Sequence, residues 1–505
     1  MRALISVSDK YNLKFLAEEF IDLEIEIIST GGTANHLREL GVDVVDVSSV
    51  TGFPEILDGR VKTLNPFIHG GLLAKKSDPN HISEINKHSI KKIDIVINNL
   101  YPFNKTISNK DITINQALED IDIGGPAMTR AAAKNFEDVL IVVDPLDYQE
   151  LVGCIRKKNI SMDYRKYLAS KAFQHTAAYD ASIASFLEKK ELSFPDELSI
   201  TWKKISPTRY GENPHQKSAI YSNINESNGI VNAKILHGLD MSYLNYFDAD
   251  AAWEIANQFD YHCVSIIKHA NPCGLSTNKD QTQAYINAFS GDPISAFGGI
   301  VGFNSNVTYD TALAMKDTLY DVIVAPGYED SALQLLKQRK RTRVLEVTNT
   351  NKNILQIKNI SGGILIQEKD IKFDKYEDWE CVTKAKPSKR NIIDMEFAWK
   401  ACKYIHSNAI VFAKNQMIKG MGAGQPNRAI SVYLAGKNLI NEKDKNFVMA
   451  SDAFFPFPDG IELAHKYGAS ILIQPGGSIN DKKVIESADK LGLVMMFTKT
   501  RHFLH

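Results

Sequence analysis

Hydrophobic positions in the first 190 residues alternate between short β-branched runs and longer stretches with helical spacing. The strand-like runs are Ala3–Val7, Ile25–Ser29, Val42–Val47, Ile93–Asn98 and Val139–Val143. Continuous apolar runs separated by amphipathic segments are typical of a parallel sheet with helices on both faces. The pattern therefore predicts a doubly wound α/β domain whose last helix covers Tyr164–Leu187, a stretch without proline or glycine.

The periodicity breaks in a polar stretch that begins at Glu188 and contains Pro195 and Pro207. Such a break is typical of a domain junction, so we predict one domain over residues 1–195 and a larger one over residues 196–505. Later strand-like runs indicate that the second domain is also α/β. They are Val264–Ile267, Ile300–Phe303, Val322–Val324, Ile364–Ile366, Ala409–Phe412 and Ile471–Ile473.

Length, charge and cysteine usage narrow the class of protein. A chain of 505 residues exceeds the roughly 300 residues that one core serves, which favours two domains. With 59 basic and 60 acidic residues, the chain has no large net positive charge that would attract nucleic acid. We find neither an export signal nor an apolar run of the roughly 20 residues that a membrane span needs. The five scattered cysteines contain no C-x-x-C pair, so we expect a cytoplasmic, metal-free protein.

Three segments of the first domain carry groups suited to binding a phosphate. Thr30–Thr33 joins a strand to a helix-like stretch, and its glycines let backbone amides turn toward an anion while Thr33 can cap the helix. Ser8–Lys10 follows the first strand, and Arg60–Thr63 lies near a further glycine. An ordinary strand-to-helix turn explains Thr30–Thr33 equally well, and Lys134 taken alone is a solvated helix residue.

In the second domain an apolar strand delivers Lys268 and His269 into a turn that Asn271, Pro272 and Gly274 favour. Neighbouring residues on a strand face opposite ways, so both reach one ligand only if the chain leaves the pleat near Lys268. A surface lysine beside a histidine at the core edge is the alternative. The run alone does not decide between the two.

Motifs spread over the whole chain resemble the family that joins AICAR transformylase to IMP cyclohydrolase. In the first half they are SVSDK at 6–10, STGGTA at 29–34, TGFPEILDGRVKTLNP at 51–66, NNLYPF at 98–103 and IDIGGPAMTRAAAKN at 121–135. In the second they are Ser265–Gly274, Arg209–Gln216, Asp292–Gly299, Ser407–Ala409, Gly422–Arg428, Ser451–Asp459, Gln474–Ser478 and Arg501–His502.

The resemblance implies the fold and the reactions. It implies a methylglyoxal-synthase-like first domain and a transformylase region of two deaminase-like subdomains. The second domain would transfer a formyl group from 10-formyltetrahydrofolate to AICAR, an aminoimidazole carboxamide ribotide, giving FAICAR. The first domain would cyclise and dehydrate FAICAR to inosine monophosphate. A homodimer acting on small molecules, with no nucleic-acid partner, is the implied assembly.

The resemblance also implies a role for each matching residue of the first domain. Tyr101, Lys134, Asp122 and Lys62 would surround the closing ring, the first two stabilising charge and moving protons and Asp122 orienting or accepting a proton. The residues that would hold the ribotide phosphate, sugar and base are Ser8, Lys10, Thr30, Gly31, Gly32, Thr33, Arg60, Lys62, Thr63, Asn99 and Ile123.

For the second domain the resemblance implies that His269 removes a proton from the AICAR amine. Lys268, assisted by Asn408, would polarise the formyl group. The residues implied to contact AICAR are Arg209, Tyr210, Gly298, Asp321, Asn408, Arg428, Phe454 and Arg501, with Arg209 and Arg428 suited to phosphate. Those implied to line the folate side are Ala429, Asp459, Ser478 and Ile479.

The chain departs from the family pattern at three positions. It has Thr30 where serine is common, Asn65 where histidine is common and Pro458 where arginine is common. These changes affect contacts rather than the reaction. Pro426 and Asn427 occupy variable positions beside the glycine loop.

Two rival interpretations fit less well, and a third stays open. A zinc deaminase requires a second cysteine where Ser276 stands, and an H-x-E glutamate that is absent after His269. The glycines at 420, 422 and 424 lack the G-x-G-x-x-G spacing of a dinucleotide site. A regulatory ligand-binding module remains an alternative for the first domain.

Overall fold

The computed structural model describes residues 1–57, 59–101, 103–107, 111–188, 194–223, 228–348 and 355–505, without the side chains of residues 104 and 105. These residues form two compact units. The first covers Met1–Trp202, and the second covers most of the chain from Lys203 onward. Within the described ranges, no helix is both long and apolar enough to cross a membrane.

The first unit is a five-stranded parallel sheet in the order β3-β2-β1-β4-β5. Its strands are β1 (Arg2–Val7), β2 (Glu26–Ser29), β3 (Val45–Asp46), β4 (Ile95–Asn99) and β5 (Leu140–Val142). Its helices are α1 (Leu13–Asp22), α2 (Gly31–Glu39), α3 (Val47–Thr51), α4 (Pro66–Leu73), α5 (Pro79–Lys87), α6 (Phe103–Ile107), α7 (Ile114–Glu119), α8 (Gly124–Lys134), α9 (Tyr148–Arg156) and α10 (Met162–Leu187).

Both faces of this sheet are buried under helices. Ile5 and its neighbours on one face pack with Leu16 of α1 and Leu151 of α9, whereas Leu4 on the other face packs with Met128 of α8 and Ala172 of α10. Successive strand residues point to opposite faces, so strands buried on both sides need continuous apolar runs. The predicted doubly wound domain is confirmed.

The second unit contains a twelve-stranded mixed sheet and two small two-stranded sheets. Its strands are β6 (Trp202–Pro207), β7 (Ala219–Asn223), β8 (Lys234–His237), β9 (His262–Lys268), β10 (Asn271–Asn278), β11 (Ile300–Phe303), β12 (Val322–Ala325), β13 (Arg343–Glu346), β14 (Leu355–Ile360), β15 (Gly363–Glu368), β16 (Glu380–Cys381), β17 (Ile410–Lys414), β18 (Met417–Gly422), β19 (Phe447–Ser451), β20 (Ala469–Gln474) and β21 (Val494–Phe497).

Helices cover the large sheet on both faces. They are α11 (Tyr243–Ala256), α12 (Gln281–Gly291), α13 (Pro293–Ala296), α14 (Tyr309–Ala314), α15 (Asp330–Lys337), α16 (Lys389–Cys402), α17 (Arg428–Gly436), α18 (Asp459–Lys466) and α19 (Asp481–Lys490). The predicted strand at Ile364–Ile366 lies in β15, which pairs with β14 outside the large sheet.

The large sheet consists of two topologically equivalent halves, in the order β16-β21-β20-β19-β17-β18-β10-β9-β11-β12-β13-β8. Each half has an antiparallel hairpin, three parallel strands and an antiparallel edge strand. The halves join where β10 pairs with β18. Identical residues recur at one constant spacing, in the pairs Ser242 and Ser388, Asn245 and Asn391, Asp248 and Asp394, Trp253 and Trp399, Lys268 and Lys414, and Gly274 and Gly420.

Candidate active sites

The loops that follow β1, β2 and β4 meet at the carboxyl edge of the first unit's sheet, where ligands of open α/β sheets bind. Asn99, at the end of β4, holds the loop that follows β1. Its Oδ1 accepts the amides of Ser8 at 2.7 Å and Asp9 at 2.9 Å, and its Nδ2 donates to the Asp9 carbonyl at 3.0 Å. The Asn99 side chain therefore shapes the predicted Ser8–Lys10 segment.

The start of α2 forms a site suited to an anion. The first amides of a helix, here Gly31, Gly32 and Thr33, have no partner within the helix and lie at its positive end. Gly31 has φ +54°, and a Cβ placed on it would lie 3.2 Å from Lys62 Nζ, so the lysine ammonium stands over this helix start. Lys62 pairs with Glu55 at 3.2 Å, and Glu55 also accepts a hydrogen bond from the Thr30 hydroxyl.

The expectation that Thr33 caps α2 is wrong. Thr30 is the N-cap residue, and the Thr33 hydroxyl bonds both the amide of Val7 at 3.1 Å and its carbonyl at 3.0 Å. Because this hydroxyl is buried and ties α2 to β1, Thr33 has only its backbone amide to offer a ligand.

Asp122 lies beside Lys62 and Thr63 at the start of α8. Its Oδ1 accepts the Gly125 amide at 2.9 Å, and a Cβ on Gly124 would lie 2.8 Å from Thr63 Oγ1. Burial raises the pKa of Asp122, while the Gly125 and Gly124 amides and the Lys62 charge partly lower it. A carboxyl, an ammonium and a hydroxyl are thus close together at this edge.

Among the other predicted residues of the first unit, one lies far along α8 and several are exposed. Lys134 ends α8, and ten residues of helix place its Cα about 15 Å from that of Gly124, so the structure does not bring Lys134 to Asp122. Tyr101, Ile123 and Lys10 are exposed, and Arg60 pairs with Glu119. Asn65, which departs from the family pattern, caps α4 by accepting the Phe67 amide at 2.9 Å.

In the second unit, β9 ends at Lys268 and the chain leaves the pleat at once. His269 and Ala270 have φ of 52° and 58°, so they form the left-handed pair of a two-residue hairpin turn. Lys268 Nζ donates to the Phe297 carbonyl at 2.8 Å. Lys268 and His269 can reach one ligand only if the chain leaves the pleat near Lys268, and the turn meets this condition.

Further predicted AICAR contacts lie on the same side of the turn. The backbone of Gly298 follows Phe297, and the Asp321 amide donates to the Gly299 carbonyl at 3.0 Å. Burial lowers the pKa of Arg343, and among nearby charges Asp321 raises it and Arg209 lowers it, which puts these three side chains within electrostatic reach. Tyr210 stacks under Arg209, with 5.4 Å between guanidinium carbon and ring centroid.

Arg343 was not predicted. It is 5 % exposed and donates to the carbonyls of Leu239 and Asp240 at 3.2 and 2.9 Å. An arginine at the start of an apolar run was the available signal.

A cavity of about 470 Å³ gathers six predicted residues from distant parts of the second unit. Its walls are formed by Asn408, Pro426, Asn427, Arg428, Ala429, Ala453, Phe454, Phe455, Pro456, Phe457, Asp459, Arg501 and Phe503. The sequence did not single out Phe457 and Phe503, which are exposed aromatic walls. A cavity with aromatic walls and few polar groups suits a flat heteroaromatic ligand.

Arg428 is buried, and its guanidinium is already bound by the protein. Its Nη1 donates to Ser451 Oγ at 2.7 Å and pairs with the fully buried Asp452, while Nη2 donates to Asn408 Oδ1 at 2.7 Å. Asn408 Nδ2 in turn donates to the carbonyls of Gln425 and Pro426 at 2.8 and 3.0 Å. Arg428 thus fixes the amide of Asn408, and Asp452, which was not predicted individually, compensates its charge.

Asp459 and Arg501 belong to the walls of this cavity, whereas Ser478 and Ile479 are not among its lining residues. Asp459 begins α18 directly after Pro458, and the Arg501 guanidinium lies 4.4 Å from the Phe503 ring centroid. Ser478 and the fully exposed Ile479 precede Asn480, whose Nδ2 donates to the Pro456 carbonyl at 2.9 Å. The hairpin turn connects to the same region, because Asn271 Oδ1 accepts the His406 amide at 3.3 Å.

The family model of the AICARFT/IMPCHase bienzyme matches residues 132–438, and that of the MGS-like domain matches residues 12–127. Similar curated proteins are the bifunctional purine biosynthesis proteins PurH of Oceanobacillus iheyensis, 45% identical over 508 residues, of Thermoanaerobacter sp., 46% over 507, and of Bacillus subtilis, 45% over 512. Each match covers 100% of this chain and 99% of the relative. Among solved structures, the crystal structure of ForH is 36% identical, with a TM-score of 0.34, over 37% of this chain and 98% of that one.

The matches confirm the resemblance and both predicted activities. Because a family model covers more than half of the sequence and relatives match along its full length, the chain belongs to the AICARFT/IMPCHase bienzyme family and is a bifunctional formyltransferase and IMP cyclohydrolase of purine biosynthesis.

Proposed function

We propose that residues 196–505 transfer the formyl group of 10-formyltetrahydrofolate to AICAR, and that residues 1–195 close the FAICAR product to inosine monophosphate. The family implies a folate-type co-substrate. The separation of the candidate residues into one group per compact unit supports this division. The phenylalanine walls of the 470 Å³ cavity favour a flat pterin ring beside Ala429 and Asp459.

The hairpin turn at Lys268 and His269 is the observation that carries formyl transfer. The AICAR amine nitrogen attacks the formyl carbon while the His269 imidazole accepts the amine proton as a general base. Lys268 stabilises the negative charge that develops on the formyl oxygen. The assistance of Asn408 stays a prediction from the resemblance, because its two amide hydrogens are donated to the carbonyls of Gln425 and Pro426. The bond from the formyl carbon to folate nitrogen then breaks, and that nitrogen receives a proton.

Binding of AICAR is assigned to the residues around this turn. Arg209 and Arg501 carry exposed or partly exposed guanidinium groups suited to phosphate, whereas Arg428 acts through Asn408. Tyr210, Gly298, Asp321 and Phe454 shape the remaining walls. Ser478 and Ile479 complete the folate side.

Cyclisation is assigned to the carboxyl edge of the first unit. The carboxamide nitrogen attacks the formamide carbon and water leaves, so holding the two groups together provides much of the acceleration. The start of α2, with Ser8 and Lys62, binds the phosphate, and Asp122 orients the reacting groups or accepts a proton. Its raised pKa fits either task. Lys134 and Tyr101 stay predictions from the resemblance.

Two single variants test the division. We expect His269→Ala to lower formyl transfer by about 10³-fold, within the range that general bases contribute, while IMP formation from added FAICAR is unchanged. Lys134→Ala is expected to do the reverse. Loss of both activities in either folded variant would contradict two separate sites.

The assembly and location complete the proposal. We propose a cytoplasmic homodimer, in line with the resemblance. Sedimentation of the purified full chain at several concentrations tests the dimer, and a monomer with full activity would rule it out.

A further inference from the structure

The turn that carries His269 is intrinsically strained. Both His269 and Ala270 are left-handed, a conformation that costs an L-residue roughly 1–2 kcal/mol. Two-residue turns of this type favour Asn-Gly, which relieves the strain, and this chain has His-Ala instead. A contact outside the turn must therefore hold it.

That contact is the carboxylate of Asp248, which projects from the middle of α11. It accepts the Ala270 amide at 2.8 Å. Burial raises the pKa of Asp248, whereas hydrogen bonds from the Ala270 and His269 amides and the His269 charge lower it. The half-buried carboxylate thus accepts a hydrogen bond from the Ala270 amide and lies close enough to the His269 amide to interact with it electrostatically.

The second half of the sheet has the same contact between a helix carboxylate and a left-handed turn, but its turn carries no histidine. Asp394, at the equivalent position of α16, accepts the amides of Asn415 at 2.9 Å and Gln416 at 2.7 Å, which are the left-handed pair of the β17–β18 turn. That turn lies at the opposite edge of the sheet, because β17 and β9 run in opposite directions. Asp394 therefore provides a matched control for clamping alone.

We propose that Asp248 is a positioning residue for formyl transfer, fixing the backbone of His269 so that its imidazole faces the AICAR amine. The inference rests on the proposed role of His269 as the base. An imidazole turns about only two side-chain bonds, so its place is set by the backbone that carries it. A displacement of about 1 Å in such a group lowers a rate by up to about 10²-fold.

Asp248→Asn and Asp394→Asn test this in the full-length protein. Each replaces one acceptor oxygen by an NH₂ group that cannot accept an amide proton. We expect Asp248→Asn to lower the kcat of formyl transfer by about 10²-fold, with KM for AICAR and for 10-formyltetrahydrofolate within about 2-fold of the parent. Asp394→Asn should keep most of the kcat, and the two variants should lose similar amounts of thermal stability.

Three outcomes would overturn the inference: an unchanged kcat in Asp248→Asn, a rise in KM alone, or equal loss of kcat in both variants. If Asp248→Asn does not fold, Ala270→Gly is added to relieve the left-handed strain and the same criteria apply. His269→Ala separates this inference from the proposed function. Full formyl transfer in His269→Ala would remove the base assignment itself, whereas its loss beside a fully active Asp248→Asn would remove only the positioning role.

Discussion

The two halves of the large sheet share one architecture but differ at the turn that ends each central hairpin. The first half presents Lys268, His269 and Ala270, and the second presents Lys414, Asn415 and Gln416 in the same left-handed geometry. Lys414 Nζ forms an ion pair with Asp444 at 2.7 Å and also donates to the carbonyls of Asp444 and Lys445, whereas Lys268 Nζ donates to the Phe297 carbonyl. Equal scaffolds thus differ in the side chains available for chemistry.

The cavities of the two halves differ in the same way. The 470 Å³ cavity around Asn408 has a counterpart of about 490 Å³ around His262 and Gln281, at the opposite edge of the sheet. Where Arg428 meets Ser451 and Asp452, Gln281 Nε2 donates to Ser305 Oγ at 2.9 Å and to the Asn306 carbonyl at 2.8 Å. A buried ion pair in one half corresponds to a neutral pair in the other, so the shared fold does not require the charges.

Replacing the buried ion pair of the second half by neutral residues like those of the first half gives the largest expected effect on stability. Arg428→Gln leaves the carboxylate of Asp452 buried without its cation, which should cost about 3–5 kcal/mol in the free energy of unfolding. Adding Asp452→Asn copies the neutral arrangement, so the double variant should recover most of that loss while formyl transfer stays low. Denaturant titration and a formyl-transfer assay measure the two effects; an Arg428→Gln variant as stable as the parent would show that the charges are not coupled.

A smaller effect is expected where the helices α11 and α16 end. Asn257 ends the first and donates to the Trp253 carbonyl at 2.7 Å, whereas Lys403 ends the second and pairs with Asp370 at 3.2 Å. Burial raises the pKa of Asp370, but the hydrogen bond and charge of His502, with Lys403, lower it to about 2 overall.

A carboxyl with a lowered pKa contributes stability above its ordinary value of 3.8 and loses it as pH falls toward 2. Because Asp370 is partly exposed, we expect Asp370→Asn to cost only about 1 kcal/mol at pH 7, with the difference from the parent vanishing in that acidic window. Unfolding measured across pH checks this. Asn257→Ala serves as control, and its cost should not depend on the ionisation of Asp370.

The smallest expected effect concerns metals. The formyl transfer proposed for Lys268 and His269 and the proposed cyclisation both proceed without a metal ion, so exhaustive chelation should leave both activities at their starting values. Assays before and after chelation, with metal content measured in parallel, provide the comparison. A loss of formyl transfer that added metal restores would contradict the proposed mechanism.

Local patterns predicted the first unit well because its strands are buried on both faces. The run at Ile93–Asn98, for example, corresponds to β4. The run at Ile364–Ile366 was a less reliable guide, since Ile364 and Leu365 are 47 and 57 % exposed on a separate hairpin. An apolar run indicates a strand, but it does not contain the long-range pairing that decides which sheet the strand joins.

The site was predictable where motifs carry it and not where tertiary structure creates it. Lys268 and His269 were named from the sequence, and the structure supplied the turn that lets both leave the pleat. Asp248, Arg343 and Asp452 were missed because a charged residue in a sequence resembles a surface residue until its buried partner is known. The duplication was missed because few identities, such as Trp253 and Trp399, survive between the halves.

The two halves of the large sheet belong to one polypeptide chain, and their strands join where β10 pairs with β18. In a symmetric pair of separate, identical halves, every substitution would appear at both edges of the sheet, and a histidine gained at one turn would be gained at the other. Within a single chain each edge mutates independently. The joined sheet can therefore specialise one edge for catalysis while the other retains only what folding demands.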